Sequence, residues 1–347
     1  MPPTSLPPEP GARPSKKTMR HMAFAALRLA AGVAILVYLA KSGIITFGAL
    51  TKLIVAWPIT LAAIAVFLAD ILLMALRTSW LFRPLGMRLT VWRSMQLTLL
   101  SIFFSTFLPG AGGGDIAKLY YATKENEGRR TEVATVLIFD RVIGFFAMLI
   151  LPFFFVPFFL PLIRRVPTLR GILILIAFIA GALLALFLLL TFNQRIRNLF
   201  ARDSLPWLRW RKQACRVLET IGAYGRSPST LLGALVISLV ANLSVIAITV
   251  LAVLALDSAS LASKMYLVIP IGHIVNGLPL TPGGLGVGET AFNGLFEMTG
   301  LHGGAETLLC WRVWKALVGL LGLMIYIRGM SRIVLVSEPG SEEQLAS

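Results

Sequence analysis

Charge is what this chain has least of. Only 14% of its 347 residues are Asp, Glu, Lys or Arg, where a soluble domain carries roughly a quarter. A water-soluble globular fold is excluded on that ground. Histidine and cysteine are scarce too, at three and two residues. His21, His273 and His302 stand far apart, so no histidine-based phosphatase motif is present, and there is no Asp-x-Asp metal pair. Cys215 falls in a basic segment and Cys310 in an apolar one, so no disulfide is expected. Neither has the company a metal site needs, and no metal or other cofactor is expected. Acid is scarcer than base, 16 residues against 32, giving a formal charge of +16. Such an excess can mark a nucleic-acid binder. Here the bases sit in loops between apolar runs, the positive-inside pattern of a membrane protein, and no nucleic-acid partner is expected.

What is abundant is hydrocarbon. Hydrophobic residues make up 57% of the chain, and its mean hydropathy is +0.81. Residues 53–75, 133–160, 171–192 and 231–256 form runs long enough to cross about 30 Å of lipid. They are continuous rather than alternating, so they read as helices and not as barrel strands. Two further runs, 22–40 and 305–327, bring the full spans to about six. Lys16, Lys17 and Arg20 precede the first, as in a retained signal-anchor without a cleavage site. Residues 1–20 read as a disordered proline-rich tail and 336–347 as a disordered acidic one, leaving 21–335 as a single membrane domain. A loop bearing Arg77, Arg83, Arg88 and Arg93 is expected after the second span. Asp70 is expected near an interface, structural or solvated.

Two other apolar stretches are broken. Residues 105–115 read STFLPGAGGGD, in which Pro109, Gly110, Gly112, Gly113 and Gly114 lead to Asp115. Residues 280–289 read LTPGGLGVGE, in which Pro282, Gly283, Gly284, Gly286 and Gly288 lead to Glu289. Proline and glycine interrupt a helix, and irregular backbone survives in lipid only where protein buries it or a polar cavity receives it. Paired breaks in corresponding halves point to a transporter-type site near the bilayer midplane. Each break reads as the tip of a re-entrant hairpin, about 94–122 and 265–299. With both termini in the cytoplasm, most of the Lys and Arg residues then fall on the cytoplasmic side, with the largest single share in the loop 193–228. That loop reads either as a holder of anionic headgroups or as an ordinary topology-setting segment. The hairpins would enter from opposite faces. The expected fold is an all-α polytopic membrane protein of about six full spans plus two re-entrant helical hairpins, arranged as an inverted repeat.

Charges inside such a protein are costly, at least about 2.5–3.5 kcal/mol each at depth. Asp140 and Arg141 lie well inside the third span. Adjacent helical residues point about 100° apart, so each needs a partner from elsewhere. Lys118 is the candidate for Asp140, and Asp115 or Glu289 for Arg141. The glycine amides of the first break, with the helix start beyond them, can also form an anion-binding concavity beside Lys118. Arg312 and Lys315 share one face of the last span and should look inward. His273 reads as a packing residue, and Asn242 and Asn276 as interhelical hydrogen-bonding residues. For all these charges a structural ion network competes with a binding site.

The blocks FLPGAGGGDIAKLYYA (107–122), VLIFDRVIGFFAML (136–149) and PLTPGGLGVGETAF (279–292) resemble the three signature blocks of a flippase-like membrane family. That family includes the transmembrane region of lysylphosphatidylglycerol synthase. The resemblance runs from about residue 20 to 335. It implies translocation of lipids or lipid-linked groups, with Asp115, Lys118, Asp140 and Arg141 in the positions of the family's charged residues. Gly288 stands where the last block usually has an arginine. The chain has no room for the aminoacyltransferase domain of the full synthase, so it is not expected to make the aminoacylated lipid. The expectation is a flippase-like transporter in a cell (inner) membrane, not an enzyme. Its cargo would be an anionic phospholipid or polyprenyl-phosphate-linked lipid. Its partners would be membrane lipids, through their anionic headgroups, and enzymes of lipid or envelope synthesis. The rivals are a membrane-embedded enzyme acting on a lipid diphosphate or glycolipid, and a non-transporting scaffold.

Overall fold

A computed structural model describes residues 47–107, 113–192, 211–256, 263–278, 284 and 286–336. All of them belong to one compact unit that starts at Phe47. The expected first span at 22–40, the tails 1–20 and 337–347, and residues 193–210 of the basic loop lie outside the described residues. Every regular element among those described is helical.

Helices α1 (Phe47–Val55) and α2 (Trp57–Phe82) divide the run expected as one span. Pro58 has no N–H to donate and fits only a first turn, so a new helix begins there. That helix does not stop before Arg77. It continues to a short 3-10 turn, Arg83–Leu85, closed by Gly86 in the left-handed region at φ 63°. Arg77 is thus buried inside a helix rather than placed in a loop. Next come α3 (Val91–Phe107), α4 (Gly113–Glu125) and α5 (Arg130–Phe155). Prolines then punctuate the chain: Pro152 near the end of α5, Pro157 opening a 3-10 turn, Pro161 in the first turn of α6 (Leu160–Arg165) and Pro167 starting α7 (Pro167–Phe192). Part of the basic loop is itself a helix, α8 (Arg211–Gly225). Tyr224 ties it down, stacking on Phe139 and donating its hydroxyl to the Leu81 carbonyl at 2.8 Å. The chain ends with α9 (Pro228–Ala255), α10 (Met265–Asn276), α11 (Val287–Met298) and α12 (Gly304–Val336).

Five of these segments are long and apolar enough to cross a membrane, the ones built on α2, α5, α7, α9 and α12. The protein is an all-α polytopic membrane protein. Between the spans stand two antiparallel hairpins. In the first, Arg93 at the start of α3 pairs with Glu125 at the end of α4. In the second, Lys264 before α10 donates to the Thr299 carbonyl after α11 at 2.9 Å, and His273 meets Phe292 edge-on. Helices α4, α10 and α11 have 13, 12 and 12 residues. At 1.5 Å per residue they reach about 18–20 Å, short of the hydrocarbon thickness.

The packing repeats. The series α2, α3, α4, α5 matches α9, α10, α11, α12 in order and in partners. As α3 packs on α12, so α10 packs on α5, and each hairpin also leans on the long helix that follows it. The central pair, α2 and α9, runs antiparallel. Trp80 near the end of α2 faces Gly233 near the start of α9, Arg77 reaches Ser238, and Lys52 ahead of α2 donates to the Leu256 carbonyl. Equivalent helices of opposite direction make the repeat an inverted one. Where lipid surrounds the helices, burial of apolar area gives little drive, and close packing and internal hydrogen bonds hold them together.

Candidate functional site

Asp140 and Arg141 leave α5 in different directions, as the helical angle requires. Asp140 turns inward. Its Oδ1 accepts from Arg77 Nε at 2.8 Å, while Oδ2 lies 3.7 Å from Lys118 Nζ and 3.2 Å from the Thr78 hydroxyl. Lys118 donates to Thr78 Oγ1 at 3.2 Å, and Arg77 Nη1 donates to Ser238 Oγ at 2.9 Å. Helices α2, α4 and α5 therefore meet at one carboxylate, and α9 holds Arg77 there through Ser238. Gly144, one turn further along α5, keeps the space open: a Cβ there would sit 2.6 Å from Arg77 Nη1. Its carbonyl accepts from Asn242 Nδ2 at 3.2 Å. Only 8% of each paired side chain, Arg77 and Asp140, is exposed. Asp70, two turns before Arg77, is buried rather than solvated, because α9, α3 and α12 cover α2. Its Oδ1 has no hydrogen-bond partner among the described residues, and Arg77 is the charge that acts on it. Two bases, Arg77 and Lys118, thus share the one carboxylate of Asp140.

Arg141 turns outward and pairs with Asp115, and here 60% and 54% of the side chains are exposed. The second half carries the same device. Glu289 Oε1 lies 2.9 Å from Arg312 Nε, with 13% and 16% exposure. Asp115 is the third residue of α4 and Glu289 the third of α11. In each half the acid at the returning helix meets an arginine on the long helix that follows. Glu289 Oε2 also accepts the Gly286 amide at 2.8 Å, capping its own helix. Arg312 Nη2 donates to Asn276 Oδ1 at 2.8 Å and to the Gly284 carbonyl at 2.9 Å. A Cβ on Gly284 or Gly288 would come within 2.6 or 2.5 Å of Asn276, so only glycine lets this tip close on the guanidinium.

Lys315, one turn beyond Arg312, sits near both pairs. Its Nζ lies 5.3 Å from the centre of the Trp311 ring, and Arg312 and Arg141 both act on it electrostatically. No carboxylate pairs with it among the described residues. His273 is buried behind this group, with Nε2 2.9 Å from Thr249 Oγ1 and its ring 5.0 Å from that of Trp311.

The structure thus brings Lys118 to Asp140, Asp115 to Arg141, Gly284, Gly288 and Glu289 to Arg312, and Gly286 to Glu289. Gly113 and Gly114 open α4 instead of lying in the break before it. The first amides of a helix lack intrahelical partners anyway. Gly114 is also where α4 touches α3, since a Cβ there would strike the Ser101 carbonyl and the Ser105 hydroxyl. Pro109, Gly110, Gly112, Pro282 and Gly283 lie outside the described residues. Arg77, Thr78 and Ser238 were not singled out from sequence, though the uninterrupted helical pattern up to Pro84 was a signal that Arg77 is intramembrane. Among the described residues no group of three or more His, Cys, Asp or Glu is placed to hold a metal ion.

Comparison with known proteins agrees with this architecture. No curated protein and no solved structure matches the chain. Residues 24–322 match the family model described as the lysylphosphatidylglycerol synthase TM region, a family of membrane proteins in lipid metabolism or transport. With most of its length matched, including both hairpins and the helices that carry their arginines, the chain belongs to the lysylphosphatidylglycerol synthase TM region family.

Proposed function

We propose that the protein moves a lipid with an anionic headgroup between the leaflets of a cell (inner) membrane, making and breaking no covalent bond. The cargo is an anionic phospholipid or a polyprenyl-phosphate-linked lipid. The two hairpins act as re-entrant segments from opposite faces, with both termini in the cytoplasm. The observation that carries this reading is the repeated acid–arginine pair in two antiparallel halves, one of them open at its surface. A charged pair in lipid is costly, so an open one within a span implies a hydrated cavity. Ile116, Ile138 and Val142, next to Asp115 or Arg141 along their helices, are exposed as well. An open charge bordered by open apolar side chains suits a headgroup whose chains remain in the bilayer. Rocking one half against the other would present the headgroup first to one face and then to the other.

The test uses purified protein in vesicles with a leaflet-specific quench of a labelled phosphatidylglycerol. Wild type should move the label, and R141A and R312A should not. Movement unaltered in both variants would remove the paired arginines from the mechanism. Phosphate released from a polyprenyl diphosphate in the same preparation would favour an enzyme instead.

A further inference from the structure

The two half-sites do not balance. Asp115, Arg141, Glu289, Arg312 and Lys315 comprise three cations and two anions, so the group carries one uncompensated positive charge. The surplus belongs to Lys315. Its ammonium rests over the Trp311 ring, and a ring face satisfies charge but none of the three N–H donors as a lone pair would. Arg141 comes from the first half of the repeat and Arg312 from the second, and both repel it. Three cations gathered beside two carboxylates leave one positive charge for which a bound anion is the matching partner.

We propose that Lys315 takes the phosphate of a lipid bearing a single negative charge, so that the site selects monoanionic phosphodiester lipids. This rests on the transport reading above and narrows its cargo. A zwitterionic headgroup would leave the surplus charge in place. A diphosphate would overshoot it and leave the cavity negative. A monoanion brings the five residues and the ligand to neutrality. The ligand is a lipid rather than a soluble phosphodiester because the open pair beside Lys315 is bordered by the exposed apolar residues Ile116, Ile138 and Val142.

The experiment counts lipids retained by the purified full-length protein, using native mass spectrometry after exposure to micelles of phosphatidylglycerol, phosphatidylcholine or a polyprenyl diphosphate. Wild type should retain phosphatidylglycerol in preference to the other two. K315M keeps a long apolar stem against Trp311 and should retain roughly 10- to 100-fold less, the loss expected for one charge-assisted contact. K315R should restore it, and K315Q replaces K315M if the methionine variant does not fold. Retention by K315M equal to wild type, or a wild type that prefers phosphatidylcholine or the diphosphate, overturns the proposal. Displacement of the retained lipid by soluble glycerophosphoglycerol as readily as by phosphatidylglycerol overturns its lipid half. The two readings fail separately. Lys315-dependent retention without movement between leaflets defeats transport and leaves this inference standing. Movement that R141A stops while K315M changes neither rate nor lipid preference does the reverse.

Discussion

Two charged clusters begin at neighbouring residues of one helix and end in opposite environments. Around Asp140, two bases share one buried acid and every member is tied to another. Around Arg141, the pair with Asp115 is half open, the matching Glu289–Arg312 pair is mostly covered, and Lys315 adds a charge that neither acid meets. A closed cluster joins four helices and leaves its charges covered and occupied with one another. An open one stabilises less and has a charge left with which to hold a ligand. The difference separates what holds this membrane protein together from what lets it act.

Substitutions can break or sharpen that contrast. The largest effect is expected for D140N, which leaves Arg77 and Lys118 buried without their shared acid. It should cost about 3–5 kcal/mol, seen as a lowered melting temperature and loss of monodisperse protein in detergent. Next is G144A, whose methyl would push the Arg77 guanidinium out of place for about 1–3 kcal/mol. A melting temperature equal to wild type would show that Arg77 has room to shift. E289Q keeps the Gly286 contact but lowers the charge facing Arg312, for about 1.5 kcal/mol. Smallest is D115N. Its pair is more than half exposed, so solvent screens it and the stability change should stay under about 1 kcal/mol. The contrast is sharpest in that variant, which should fold like wild type and yet move labelled phosphatidylglycerol poorly between leaflets. If D115N unfolds the protein while D140N does not, the division between the clusters is reversed.

Much of the frame was legible from local pattern. The lengths of apolar runs located the ends of most described spans to within a few residues, since hydropathy is carried by neighbouring residues. The hairpins were legible because glycine and proline interrupt helices locally. The opposite exits of Asp140 and Arg141 followed from the helical angle alone. Arg77 was misplaced because a charge in sequence resembles a loop. Only its partner on α5, 63 residues away, makes burial tolerable. For Asp70 the sequence left a structural and a solvated reading open, and burial selects the structural one, because the helices that cover α2 come from both halves of the chain.

The sequence by itself determined a helical membrane protein with two glycine-tipped, carboxylate-bearing breaks and charges that had to find partners, because hydropathy, helix breaking and side-chain direction are properties of neighbouring residues. The sequence offered Lys118 for Asp140 and Asp115 or Glu289 for Arg141; the tertiary structure alone added Arg77 to Asp140, chose Asp115 for Arg141, and set Glu289 on Arg312 and none of these acids on Lys315. An ion pair inside a membrane forms between groups brought within about 4 Å, and the approach of separate helices is set by their packing rather than by the order of residues along either one.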